Sequence, residues 1–136
     1  MKRKKEKAII NYLSYAMVQM DLRDWELKVN FKLDTESDIG GTCEPLFGRK
    51  LAYISLPSDM DNQKESDVRQ TLIHELLHLH FAPLTIQSRE LDKILGVEAY
   101  EMFDIMFTQT MEYCVDGIAT AWAESLEEFT WKFAEK

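Results

Sequence analysis

The alternation of polar and apolar positions along this chain changes rhythm partway, from mixed periods in the first half to helical spacing in the second. Over residues 4–20, Ile9, Leu13, Ala16, Met17 and Met20 recur at three- and four-residue intervals, which predicts a helix with that face buried. Residues 21–24 interrupt the pattern, and residues 25–33 then alternate apolar and polar, as a strand with one wet face does. Residues 34–41 are rich in turn formers, and Gly40-Gly41 admits backbone angles that other residues resist. A weaker strand is expected around residues 42–46, a turn at 45–49, and a strong strand at 50–56 ended by Pro57. Short turns between these strands predict a small antiparallel sheet.

From residue 59 the chain is polar until a helix predicted over residues 66–81, capped by Ser66 or Asp67 and stopping before Pro83. Helical spacing resumes with Ser88 as a cap and Gly96 as a break. Over residues 97–131 it runs through Phe103, Met106, Phe107, Thr110, Met111, Cys114, Ile118, Ala121 and Trp122, as one helix or two. Strands followed by helices give an α+β class. No internal repeat or low-complexity linker divides residues 1–136, which read as a single domain.

Composition narrows the function classes. The chain has 136 residues, 46% of them hydrophobic, enough for a core without disulfide staples. Net charge is -8, yet Lys2, Arg3, Lys4, Lys5 and Lys7 stand together at the start. Beyond them 11 basic side chains face 23 acidic ones, a net -12, which argues against nucleic acid as a partner. No stretch has the length of a membrane span or the form of a signal-peptide core, so a cytoplasmic location is expected. Cys43 and Cys114 fit reduced thiols there.

The chemistry concentrates at His74-Glu75-Leu76-Leu77-His78. Residues four apart share a helix face, so His74 and His78 can offer ring nitrogens to one metal ion while Glu75 takes a proton from water. All three histidines of the chain fall within seven residues of an otherwise apolar run, where polar groups without partners are costly. A catalytic zinc site needs a third protein ligand. His80 is turned roughly 160 to 200 degrees from the pair at about 100 degrees per residue. Glu112 is the better ligand, and Asp116, four residues on, can accept the outer N–H of a ligand histidine.

His74-Glu75-x-x-His78 followed by Glu112-x-x-x-Asp116 resembles the gluzincin zinc metallopeptidases, above all the small single-domain minigluzincins. The resemblance implies a zincin-like fold and Zn2+ on His74, His78 and Glu112, with Glu75 as general base and Asp116 orienting a ligand histidine. It implies a peptide or protein substrate paired along the strand at 51–56, through Tyr53, Ile54 and Ser55. The chain departs from the larger gluzincins in carrying Met111 and Val115 where they carry Asn and Ser. It has 33 residues between His78 and Glu112, and no histidine after His80 to stabilise an oxyanion. Tyr100 and Tyr113 are hydroxyl donors that no motif positions.

Two further features have competing readings. Cys43 is either a plain reduced thiol beside a glycine turn or a thiolate that holds the enzyme latent. Trp122, Phe129, Trp131 and Phe133 either pack in the core or cover the cleft. At the level of function, peptide hydrolysis stands against a zinc-binding regulatory protein on a peptidase scaffold with little or no turnover, and against a metal-free interaction domain. Oligomeric state is left open.

Overall fold

The computed structural model describes residues 1–34, 40–46 and 48–136. Helix α1 (Arg3–Gln19) buries Ala8, Ile9, Tyr12, Leu13 and Ala16. Strands β1 (Glu26–Leu33), β2 (Thr42–Pro45) and β3 (Leu51–Pro57) follow, then helices α2 (Glu65–His80), α3 (Ala82–Glu90) and α4 (Val97–Ser125). Short 3-10 turns lie at Met60–Asn62, Leu91–Lys93 and Trp131–Glu135. Of the turn expected at residues 34–41, positions 35–39 lie outside the described residues, as does residue 47 of the turn expected at 45–49. The class is α+β, with four helices and one three-stranded sheet among the described residues. No helix among them is long and apolar enough to cross a membrane.

The sheet is mixed rather than antiparallel. Its order is β1-β3-β2; β3 runs antiparallel to β2 but parallel to β1, with Leu27 opposite Ala52 and Val29 opposite Ile54. Only the β2–β3 connection is a short hairpin turn, where Gly48 takes a φ of 73°, open to glycine at no steric cost. β1 and β3 are joined through everything between Leu33 and Leu51, ample for a parallel crossover. Burial explains the order: Leu51, Ala52, Ile54, Leu56 and Pro57 of β3 are all buried, whereas β1 has no fully buried residue. The more apolar strand takes the middle.

Helix α2 starts one residue before the expected boundary. Lys64 is its N-cap and no side chain caps it; Ser66 and Asp67 instead sit in the first turn, where Glu65 and Asp67 complement the positive end of the helix dipole. From residue 72 to 79, only His74 and His78 escape full burial. Phe81 ends α2 and begins α3, so Pro83 falls in the first turn of α3, a position that needs no proline N–H. Ser88 lies inside α3 and donates to the carbonyl of Thr85 at 2.7 Å, so it is not a cap. Gly96 does separate the helices, as the N-cap of α4.

α4 is one helix, and its buried face is rotated from the one expected. Met111, Val115, Ala119 and Ala123 are buried, while Cys114, Ile118 and Ala121 are exposed. Cys114 is therefore not a core residue. The C-terminal aromatics are core: Phe129 and Phe133 pack edge-on against Tyr12 at 5.3 and 4.9 Å between centroids. Asn11 donates to the carbonyl of Phe133 at 2.8 Å and the Tyr12 hydroxyl to that of Glu127 at 2.7 Å. Burial pushes the Tyr12 hydroxyl pKa up to about 12. The tail thus closes over α1 and lies away from the histidines.

Candidate metal centre

α2 supplies two imidazoles from one face because His74 and His78 are one turn apart, on the stripe that the surrounding leucines leave uncovered. α4 packs across that stripe through Met111 and Val115 and brings Glu112, which lies between them, to the histidines. Glu112 Oε2 is 3.0 Å from His74 Nε2, and its Oε1 is 3.0 Å from His78 Nε2. The two Nε2 atoms are 3.2 Å apart. Asp116 Oδ1 lies 2.7 Å from His74 Nδ1 on the far side of that ring.

These separations fit a shared cation. Tetrahedral ligands about 2.0–2.1 Å from zinc lie about 3.3 Å from one another, close to the spacings here. The hydrogen-bond logic agrees. With Nδ1–H donating to Asp116, a neutral His74 turns a lone pair from Nε2 toward Glu112 and His78. That lone pair and the Glu112 oxygen 3.0 Å away repel unless a cation or a proton lies between them. Burial holds the imidazole of His78 below its ordinary pKa, against the pull of the Glu112 carboxylate, which favours the neutral ring that a metal ion requires. Two imidazoles and a carboxylate suit Zn2+ but also other first-row divalent ions. Among the described residues this is the one group of three that can hold a metal.

Glu75 is buried beside the pair, 4% exposed. Burial foremost, with the fields of Glu112 and Asp116, raises its carboxyl pKa to about 7 against the opposing influence of His74. A methyl group at Gly41 would come within 3.2 Å of Glu75 Cγ and Leu56 Cδ2 and 3.3 Å of Glu75 Oε1. The missing side chain at Gly41 therefore makes room for Glu75. The sequence marked Gly40-Gly41 only as a turn, and nothing there revealed this approach.

All four motif residues and Asp116 line one cavity of about 650 Å³, with Gly41, Cys43 and Phe107 among its other walls. Arg89 of α3 and Glu44 of β2 form a two-pronged ion pair at 2.7 and 3.3 Å, which puts a guanidinium on the cavity wall. Sequence reasoning passed over Arg89, since only its ion pair with Glu44, 45 residues away in sequence, brings it there. Cys43 is on the wall too. Burial, with the charges of Glu75 and Glu44, pushes its thiol pKa up, so the thiol form is favoured over a latching thiolate.

Other expected groups lie elsewhere. β3 is paired on both edges, and Ile54 is fully buried, so Tyr53, Ile54 and Ser55 cannot receive a peptide by backbone pairing. Among the described residues β2 is the strand at the sheet edge on the cavity side, and its Thr42 and Cys43 line the cavity. His80 Nε2 pairs with the carbonyl of Met20 at 2.7 Å, at the C-terminal end of α1, away from the metal ligands. Tyr113 is 82% exposed and Tyr100 contacts Phe103; neither lines the cavity. Compared with known proteins, the chain matches no family model and has no significant match among curated proteins or solved structures.

Proposed function

We propose that the chain is a zincin-like, zinc-dependent metallopeptidase of the gluzincin type, acting on peptides or proteins. The observation that carries this reading is the convergence of His74 Nε2, His78 Nε2 and the Glu112 carboxylate within 3.0–3.2 Å, next to a buried glutamate. Bound there, Zn2+ would supply Lewis acidity, polarising a scissile carbonyl and making water acidic enough to attack it. Asp116 fixes the tautomer of His74 and keeps Nε2 free to bind metal. Glu75 accepts the proton released from water and passes it to the leaving amine. The outer edge of β2, which pairs with no other strand among the described residues, offers backbone groups to an extended substrate beside these residues.

A second reading, a zinc-binding regulatory protein with little turnover, draws on the absence of Tyr100 and Tyr113 from the cavity wall. Metal analysis of the purified protein together with cleavage of a broad peptide library separates the two. The peptidase reading expects one zinc per chain, cleavage by the wild type, and a Glu75→Gln variant that keeps zinc but loses hydrolysis. Zinc without cleavage by the wild type supports the regulatory reading, and unchanged turnover in Glu75→Gln overturns the role given to that residue.

A further inference from the structure

The cavity at the metal centre has two ends, and they differ in charge. β2 and the glycines before it run alongside α2 in the same direction. A Cβ at Gly40 would sit 3.6 Å from Thr71 Oγ1, one at Gly41 3.2 Å from Glu75 Cγ, and Glu44 reaches on to Arg89 of α3. α4 runs the other way, since Asp116 pairs with His74 and Thr120 with Gln70. Asp116 and Gln70 therefore mark one end, the histidines and Glu112 the middle, and Arg89 with Thr85 and Phe107 the other end. Among the described residues lining the cavity, Arg89 is the one lysine or arginine.

Glu44 holds this guanidinium without using it up. Its two oxygens meet Nη1 and Nη2 at 2.7 and 3.3 Å, which leaves the other N–H donors of the fork for a second acceptor. The side chains are 47% and 56% exposed, and a pair so open to water contributes only about 0–1 kcal/mol. Such a pair orients Arg89 yet is readily shared with another carboxylate.

Distance decides what the guanidinium can serve. Glu44 follows Gly41, the residue against Glu75, by three positions, about 10 Å along a strand at about 3.3 Å per residue. A donor to an oxyanion at the metal must lie within about 3 Å of it, so a guanidinium clamped at Glu44 suits a more remote group. An extended peptide beside β2 advances at the same rate as the strand, which brings a group about three residues from the scissile bond to Arg89.

We infer that Arg89 binds a carboxylate of the substrate, either an acidic side chain or a free C-terminus, about three residues from the bond that is cut. This rests on the peptidase reading above and adds a substrate class to it. The planar fork of arginine takes a carboxylate through two parallel hydrogen bonds. Asp116 at the opposite end repels the same group, so charge selects which way round an acidic peptide lies.

The test is peptide binding, read by fluorescence anisotropy on the zinc-loaded full chain carrying Glu75→Gln, so that the probes stay intact. The probes are labelled, C-terminally amidated peptides of alanine and serine with a single glutamate at each position in turn, and the glutamate-free parent with an amidated or a free C-terminus. A glutamate peptide or the free-acid parent should bind about 10-fold tighter than the amidated parent, and whichever gains names the source of the carboxylate. In Arg89→Ala the gain should vanish while the amidated parent binds as before, and in Arg89→Glu the acidic probe should bind more weakly than the parent. Should Arg89→Ala misfold by circular dichroism, Arg89→Gln, which keeps much of the side-chain stem, reads the same difference. Equal binding of acidic and neutral peptides, or a gain that survives in the folded variant, overturns this inference and leaves the peptidase reading standing. A protein that takes up no zinc or binds none of the probes overturns both.

Discussion

α2 and α4 both deliver ligands to the candidate metal centre, yet they hold them in opposite ways. His74 and His78 are each 16% exposed and framed by Leu72, Ile73, Leu76, Leu77 and Leu79. Glu112 and Asp116 stand on a helix that touches the body along one line of residues, and they are 46% and 68% exposed. The buried helix sets where the centre is, because close packing gives its side chains few other positions. The exposed helix completes the centre, with its carboxylates held in place mainly by the histidines they reach.

The largest difference should appear on deleting a ligand. His74→Ala removes one imidazole and the partner of Asp116 together, and should abolish stoichiometric zinc binding as read by elemental analysis after dialysis; retention of one zinc per chain would show that the ligand set is wrong. Next in size is packing. Leu72→Ala in α2 should cost about 2–5 kcal/mol in urea unfolding, whereas Ile105→Ala in α4, 59% exposed, should stay within about 0.5 kcal/mol. Equal losses at the two positions would erase the contrast between the helices.

Smaller again is Asp116→Asn, which keeps the shape but turns a charged acceptor into a neutral amide. It should weaken zinc affinity by about 10- to 100-fold without removing the site, measured by competition with a chelating dye. No change would mean that the 2.7 Å contact to His74 does not orient the ring. The smallest effect is alkaline. Tyr12 ionises at about 12 in the fold against an ordinary value near 10. The unfolded chain therefore loses this proton first, and stability should hold below pH 10 and fall as pH rises toward 12. A Tyr12→Phe variant should lose that part of the decline; an identical decline would assign it to other groups.

The same contrast explains what could be read from the sequence. The α2 motif was legible because helical spacing alone puts His74 and His78 together, and a run of leucines leaves one register in which they reach an opening. Glu112 and Asp116 were legible by the same local rule. The buried face of α4 was not, because this helix carries more apolar residues than the body covers. Cys114, Ile118 and Ala121 have the right spacing, yet Val115, Ala119 and Ala123 take the contact. Sheet order failed for a related reason: the β1–β3 pairing joins strands distant in sequence, and alternation within a strand says nothing of its neighbour. Arg89 and Gly41 reach the cavity only through tertiary packing.

Gly41 also bears on how this protein tolerates change. Gly96 and Gly117 have open space where a side chain would begin, whereas the α-hydrogen of Gly41 faces Glu75 and Leu56. A single added carbon there must displace either the buried acid or a core leucine, so position 41 couples drift in a surface loop to chemistry at the metal. Substitutions that leave the fold intact can still accumulate freely at the other two glycines while being filtered at this one, and the loop is held to glycine by what lies beneath it rather than by its own turn.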